Sequence, residues 1–300
     1  MANNSFRRIP FKVFNSLLLV CPIFLLLSCM KPQVEQTARS GQMTLAVDKQ
    51  LGDIAVSQVK MFRSYYPDAH VSVISVNSKE SMKLLLEHTV RAALIGGPLE
   101  AAEEALFAKE SSLLRREPVG RDALVCIVNT RNPLRNISLE ELKHTFTRRE
   151  ERGIQALVTA DDFRLQSFFA ALIGDKRENL RAWGCKSDSA LIMRISSDDS
   201  AVGLLFQSSP ELKRLSENPK SNIRVLPLLR KSGNTPWILP TQQNIYDGSY
   251  PLVTTVYYVY YSGDPLAAGF GAWLGSAGQK VFERSSLAPF QLVERTIILN

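Results

Sequence analysis

Polar groups that could bind a small ligand follow three short apolar stretches in the first third of the chain. They are Asp48-Lys49-Gln50, Asn77-Ser78-Lys79 and Gly96-Gly97. Hydroxyl, amide and ammonium groups, together with the free N–H groups of a glycine turn or a helix start, suit a small anion. Asp48, Lys49, Asn77, Ser78, Lys79 and Gly97 are therefore candidate ligand-binding residues.

Residue types that commonly catalyse reactions or bind metals are sparse. His70, His88 and His144 lie far apart, and the sequence contains no Gly-x-Ser-x-Gly elbow, P-loop or HExxH motif. Cys126 and Cys185 have neither a CxxC partner nor a histidine at ligand spacing. We expect no catalytic residue, metal or cofactor. The two thiols are free or form a disulfide, and free thiols are favoured.

Short strands alternate with helices from Met43 onward, which is typical of a mostly parallel sheet with helices on both faces. Strands are predicted at Met43–Val47, Val71–Val76 and Ala92–Ile95, and the helix after the third strand spans Glu100–Phe107. Right-handed crossovers place the carboxyl ends of these strands along one edge. The three polar groups therefore meet there.

The second half repeats this alternation. Strands are predicted at Leu124–Val128, Ile154–Thr159, Val202–Phe206 and Ile223–Leu226. A capping box begins a helix at Ser138, Asp175–Trp183 is predicted as a short helix, and Leu228–Gln243 as an exposed excursion.

The densest β signal is the run from Tyr250 to Tyr261, where β-branched and aromatic residues fill nearly every position. We expect a central strand. A closing helix follows it, and Gly275 and Gly278 weaken the continuity of that helix.

The N-terminus has the composition of a secretory signal. Arg7, Arg8 and Lys12 precede an apolar run of about fifteen residues, which is short for a membrane span of roughly twenty. Leu26-Leu27-Ser28-Cys29 then reads as a lipobox. Residues 1–28 are thus predicted to be a lipoprotein signal peptide, Cys29 the lipidated residue and 29–42 a tether. The alternatives are an uncleaved anchor or a plain signal peptide with an incidental cysteine.

The charge balance argues against nucleic-acid binding. The formal net charge of +7 falls to +4 once the three basic residues of the leader are removed. No run of Lys and Arg interleaves with aromatic residues. We expect no nucleic-acid partner.

Two blocks of sequence resemble the phosphate-type solute-binding proteins of ABC importers. The first comprises Asp122–Asn129, Asn132-Pro133 and Ile137–Phe146, and the second runs from Tyr250-Pro251-Leu252 to Gly278-Gln279-Lys280 and Pro289. This resemblance implies an α/β, two-lobed periplasmic-binding-protein (type II) fold with hinge strands. It places one lobe at 43–121 plus 258–300 and the other at 122–257.

The resemblance implies that, in this family, a second-lobe arginine and a Gly-Ser-Gly-Thr helix start help to hold the oxyanion. The corresponding segment here contains Thr159, Asp161, Asp162 and Arg164. Within it an aspartate occupies the helix N-terminus and the anion's place. A like charge at about 4 Å costs roughly 4 kcal/mol at an effective dielectric near 20, against about 1 kcal/mol gained from the dipole. Tight phosphate binding then requires Arg164, Lys49 or Lys79 to turn inward.

The resemblance implies a monomeric, lipid-anchored receptor in the cell envelope that captures a small anionic solute, with phosphate as a candidate, and presents it to an ABC permease. The rival interpretation is a binding-fold lipoprotein that has lost solute capture and acts as an envelope interaction or structural partner. An envelope hydrolase is a third alternative.

Overall fold

The computed structural model describes residues 36–109, 113–148, 153–218, 220–229 and 236–292. The predicted signal peptide and Cys29 lie outside these residues. Within the described ranges, no helix is both long and apolar enough to cross a membrane.

The N-terminal part alternates strands and helices as expected. Its elements are β1 (Gly41–Asp48), α1 (Gly52–Tyr65), β2 (Ala69–Val76), α2 (Ser78–Leu86), β3 (Ala92–Gly96) and α3 (Ala101–Lys109). β1 pairs in parallel with both β2 and β3, so the carboxyl ends of all three strands lie on one edge. β1 begins at Gly41, two residues before the predicted start, because Gly41 already pairs with Ala69.

The remaining elements begin with a long strand. They are β4 (Leu114–Asn129), β5 (Ile137–Ser138), α4 (Leu139–Thr147), β6 (Gln155–Thr159), α5 (Phe163–Leu172), β7 (Trp183–Cys185), α6 (Asp188–Ser197), β8 (Ala201–Phe206), α7 (Pro210–Ser216), β9 (Ile223–Val225), β10 (Leu228–Leu229), α8 (Gln242–Tyr246), β11 (Val253–Tyr261), α9 (Pro265–Leu274), α10 (Gln279–Glu283) and β12 (Ala288–Pro289). Ser138 begins α4 with the predicted capping box.

One sheet runs through the described residues in the order β2-β1-β3-β11-β4-β8-β6-β7, and β9 and β12 also pair with β4. Apolar side chains pack around it in four clusters, two of them larger than the others. One large core contains Leu45, Phe62 and Phe270, and the other contains Phe146, Phe169 and Tyr250. We call the parts built on these cores the first and second lobes.

Two strands pass from one core to the other. Along β4, Val119 packs in the first core and Leu124 in the second. Along β11, Val256 packs in the first core, while Val253 packs against the second. The register between β4 and β11 shifts at Val256/Tyr257. The predicted central position of this aromatic strand is confirmed, since β11 lies between β3 and β4.

Three local predictions were wrong or incomplete. The predicted helix over Asp175–Trp183 is a short 3-10 turn at Arg177–Asn179, and Trp183–Cys185 instead extends the sheet beside β6. Leu228 and Leu229 are buried because they pair with β5, so the predicted exposed excursion begins later. The closing helix breaks between Leu274 and Gln279, at the two glycines that weakened the prediction.

Candidate functional site

The carboxyl ends of β1, β2 and β3 meet the N-terminus of α5 from the second lobe. Asp162 caps α5 by accepting a hydrogen bond from the Leu165 N–H at 3.1 Å. This cap fixes the first turn of the helix, so Arg164 projects from that turn into the first lobe. Arg164 is the inward-turning cation that the sequence required, and only 2% of its surface is exposed.

The Arg164 guanidinium is enclosed by acceptors from the first lobe. Its Nη1 donates to Glu103 Oε2 at 2.8 Å, and its Nη2 donates to Glu103 Oε1 at 3.1 Å. The carbonyl oxygens of Ser78 and Pro98 accept further bonds at 2.5 and 3.3 Å. Such a forked pair is the geometry in which arginine binds carboxylates and phosphates.

Asp48 supplies a second carboxylate from the end of β1. It is fully buried and accepts hydrogen bonds from Ser81 Oγ at 2.5 Å and from the Gly96 N–H at 2.9 Å. Its Oδ2 lies 3.6 Å from Arg164 Nε. Burial raises the pKa of Asp48, and the charge of Arg164 opposes that rise. The pKa of Glu103 is raised for the same reason.

Three buried polar atoms beside this ion-pair network have no hydrogen-bond partner in the described part of the chain. They are Gln50 Nε2, Thr254 Oγ1 and Arg164 Nε. A Cβ built on Gly96 would lie 2.7 Å from Gln50 Nε2, and one on Gly97 would lie 3.4 Å from Thr254 Oγ1. Buried polar groups usually have partners, so these three atoms are candidate contacts for a polar ligand.

A cavity of about 230 Å³ opens next to these residues, between the lobes. Lys49 and Asp161 pair at its mouth, with 3.8 Å between Nζ and Oδ2, and more than half of each side chain is exposed. On the second-lobe wall, Thr159 Oγ1 and Ser209 Oγ each donate to Asp188 at 2.7 Å. Burial, with the charges of Asp48 and Asp188, raises the pKa of Asp162 to about 7.

The structure brings most of the predicted site residues to this cleft. The cavity is lined by Lys49, Asn77, Ser78, Thr159, Asp161 and Asp162. Asn77 also caps α2 by accepting the Glu80 N–H at 2.9 Å. Gly97 adopts a φ of +95°, which favours glycine. Lys79 is exposed and is not part of the cavity wall.

Sequence reasoning missed Glu103, Thr254 and the role of Gln50. Glu103 lies in the helix after the third strand rather than in the strand-end loop, so its proximity to Arg164 depends on how α3 packs. Thr254 carried a weak signal, as one of two adjacent threonines in an otherwise apolar and aromatic strand. Glu103 and Asp48 each place a carboxylate beside Arg164 near the third strand-end loop.

A larger groove of about 860 Å³ lies beside the cleft, against α1 and α10. Its wall includes Lys60, Lys213, Lys280 and Arg284. Gln50 borders both cavities, whereas Arg164, Asp48 and Glu103 line neither of them. Because the predicted strand-end residues and the N-cap of α5 line the smaller cavity, we regard that cavity as the candidate site.

Comparison with known proteins places this architecture in a family. Residues 32–277 match the family described as PBP superfamily domain. The chain belongs to the PBP superfamily. The curated relative Protein SphX of Synechococcus elongatus (strain ATCC 33912 / PCC 7942 / FACHB-805) is 21% identical over 257 residues, which are 80% of this chain and 74% of that protein.

Solved structures of PBP-like proteins share the fold. A candidate phosphate ABC transporter substrate-binding protein from Clostridium perfringens, with phosphate bound, matches with a TM-score of 0.66 and 16% identity, over 84% of this chain and all of that one. An ABC-type phosphate transport receptor from Vibrio cholerae matches with a TM-score of 0.63 and 19% identity, over 83% of this chain and all of that one. The predicted two-lobed α/β fold is therefore confirmed.

Proposed function

We propose that this PBP-superfamily protein is the solute-binding component of a phosphate-type ABC import system. It captures a small oxyanion between its lobes and presents the closed form to a membrane permease. It performs no catalysis in this role. The similar structures support the proposal, since two of them are described as phosphate transport proteins.

The observation that carries the proposal is the position of Arg164. A buried guanidinium from the second lobe lies against loops of the first lobe, beside the unpaired atoms of Gln50 and Thr254. An oxyanion at this point touches both lobes only when they are closed. A ligand that gains contacts in one state shifts the population toward that state, which is the physical basis of capture by closure.

The aspartates of the cleft do not prevent this binding. Asp162 has a pKa near 7, so at neutral pH a substantial fraction of it is uncharged and can donate a proton to an oxyanion. Lys49 at the mouth is neutralised in part by Asp161. The main attraction therefore comes from Arg164, provided that an anion can reach it.

Titration calorimetry with orthophosphate, sulfate and chloride tests the proposal. We expect micromolar or tighter binding of phosphate by the wild-type protein and its loss in Arg164→Ala. Lys79→Ala is the matched control, because Lys79 is exposed and lies outside the cavity wall. Its affinity should stay within about twofold of wild type. Absence of heat with every oxyanion would overturn the proposal and favour a partner role without solute capture.

The N-terminal signals complete the proposal. Residues 1–28 direct export, Cys29 carries the lipid, and the following tether, up to residue 42, connects the lipid to the lobes at the envelope membrane. The first lobe then comprises 43–121 plus 258–300, the second comprises 122–257, and the protein is a monomer. Metabolic labelling with a radioactive fatty acid should mark the wild-type protein and not Cys29→Ser. Light scattering should give the mass of one chain.

A further inference from the structure

The Glu103 carboxylate binds the Arg164 guanidinium as the carboxylate of a ligand would. Its two oxygens accept from the two terminal nitrogens of the guanidinium at 2.8 and 3.1 Å. An oxyanion held by Arg164 would use the same two donors. The carboxylate comes from the first lobe and the guanidinium from the second, so this pair joins the lobes as a solute would.

We propose that Glu103 competes with the solute for Arg164 and thereby sets the affinity and selectivity of the cleft. Solute binding displaces the Glu103 carboxylate and loosens helix α3 from the second lobe. This inference rests on the proposed function of the cleft.

The packing of α3 makes displacement feasible. None of its described residues is fully buried, and Phe107 near its end packs against the apolar cluster that contains Met82. Charged contacts hold the start of the helix. Glu104 pairs with Arg116 at 2.5 Å within the first lobe, and Glu100, just before the helix, pairs with Arg177 of the second lobe at 3.2 Å. Ser167 Oγ also donates to Glu100 at 2.9 Å.

The balance of charge at Glu103 favours exchange over a permanent bond. Burial raises the pKa of Glu103 although Arg164 lies in contact with it. Burial therefore disfavours the charged carboxylate, and the guanidinium opposes this effect. Returning Glu103 to solvent recovers its hydration, while an incoming anion prevents Arg164 from being stranded as an unpaired buried charge.

Glu103 leaves two polar groups beside Arg164 without partners, and these groups favour a tetrahedral anion. The two carboxylate oxygens are taken by Arg164, and Glu103 Oε2 additionally accepts the Glu100 N–H at 2.8 Å. Gln50 Nε2 and Thr254 Oγ1 remain without partners in the described residues. An oxyanion with three or four oxygens offers more acceptors to Arg164 and these two groups than a planar carboxylate with two oxygens does. Tetrahedral oxyanions should therefore outcompete small carboxylates.

Calorimetry with orthophosphate on the Glu103→Gln variant tests this inference. We expect the affinity to increase at least about tenfold, because hydrogen bonds to a charged acceptor are replaced by weaker neutral ones. Glu104→Gln is the matched control. It removes an adjacent carboxylate of the same helix whose partner, Arg116, lies in the same lobe. Its affinity should remain that of the wild type.

Hydrogen exchange of the wild-type protein gives a second readout that needs no variant. Amides of residues 101–109 should exchange faster at saturating phosphate, while those of α2 should not. Equal or weaker binding by Glu103→Gln, or unchanged exchange in α3 when phosphate binds, would overturn the inference and leave the proposed function standing. If Glu103→Gln binds phosphate and the wild-type protein does not, the result would support competition between Glu103 and the solute. If neither protein binds phosphate, sulfate or acetate, the proposed function fails, and the inference fails with it.

Discussion

Arg164 and Glu103 form a two-pronged ion pair between helices of different lobes, with N···O distances of 2.8 and 3.1 Å. Asp48 approaches the same guanidinium at 3.6 Å. One buried cation thus faces a buried carboxylate, Asp48, and a partly buried one, Glu103. Removing these charged groups from water costs free energy, so the cluster contributes little net stability. Its proposed role is to let a solute replace Glu103 at Arg164.

The first prediction concerns the stability that depends on Arg164. Arg164→Ala removes the only cation that lies in contact with both Asp48 and Glu103 among the described residues, and it leaves one buried and one partly buried carboxylate without this partner. We expect the free energy of unfolding to fall by about 3–5 kcal/mol at pH 8. Urea denaturation measures this value.

Lowering the pH provides the control for Arg164→Ala. The loss should shrink toward pH 4, since protonation neutralises the stranded carboxylates, whose pKa values are raised by burial. Arg164→Lys keeps the charge without the fork and should lose less stability than alanine. A loss that is independent of pH would indicate a packing effect and contradict the assigned role.

A second prediction concerns Asp122, where β4 passes from pairing with β11 to pairing with β8. This carboxylate is fully buried and accepts hydrogen bonds from Ser208 Oγ at 2.5 Å and from the Ala123 N–H at 2.7 Å. Burial raises the pKa of Asp122 to about 7. Between pH 4 and pH 7 the folded state therefore binds more protons at this residue than the unfolded state does.

Because the folded state binds more protons at Asp122, the contribution of this residue to stability decreases as the pH rises from 4 to 7 and levels off above 7. The loss is at most about 4 kcal/mol, given the shift from 3.8 to about 7. Asp122→Asn keeps the acceptor oxygen without the charge. It should be more stable than wild type at pH 8 and equal to it at pH 4 in urea denaturation. Parallel pH profiles of the two proteins would refute this assignment.

A third prediction separates backbone strain from crowding at the site. Gly97 and Gly174 both have positive φ, at +95° and +67°, but a Cβ on Gly174 would meet nothing within 4 Å. A Cβ on Gly97 would lie 3.4 Å from Thr254 Oγ1 and 3.6 Å from Arg164 Cδ. Each Gly→Ala variant should lose about 1–2 kcal/mol of stability.

Only Gly97→Ala should also weaken phosphate binding, because the added methyl group crowds Thr254 and Arg164. Fluorescence titration with phosphate, at a temperature where both variants remain folded, provides the comparison. Equal affinities for the two variants would show that Gly97 serves only as a turn and does not approach the ligand.

Much of the framework could be predicted because it depends on local pattern. Alternating apolar stretches predicted β1 to β3 and their shared edge, and the many aromatic residues of β11 predicted that strand. Ser138 predicted the start of its helix through its capping box. The three-residue strand β7 could not be predicted, since Trp183-Gly184-Cys185 has too few residues to show an alternation. Its place in the sheet comes from pairing with β6.

The site was harder to predict because it depends on contacts between distant residues. Arg164 and Glu103 are 61 positions apart, and nothing near either residue specifies the other. The loop residues Asp48, Asn77 and Gly97 could be placed by topology alone. Arg164 could be named as a candidate cation, but its inward orientation follows from how the two lobes meet.

A crystal structure of the wild-type protein grown in saturating phosphate tests the central claim most directly. We predict an oxyanion hydrogen-bonded to Arg164 and to Gln50 or Thr254, with the Glu103 carboxylate turned away from the guanidinium. An intact pair between Arg164 and Glu103, with no phosphate between the lobes, would contradict it.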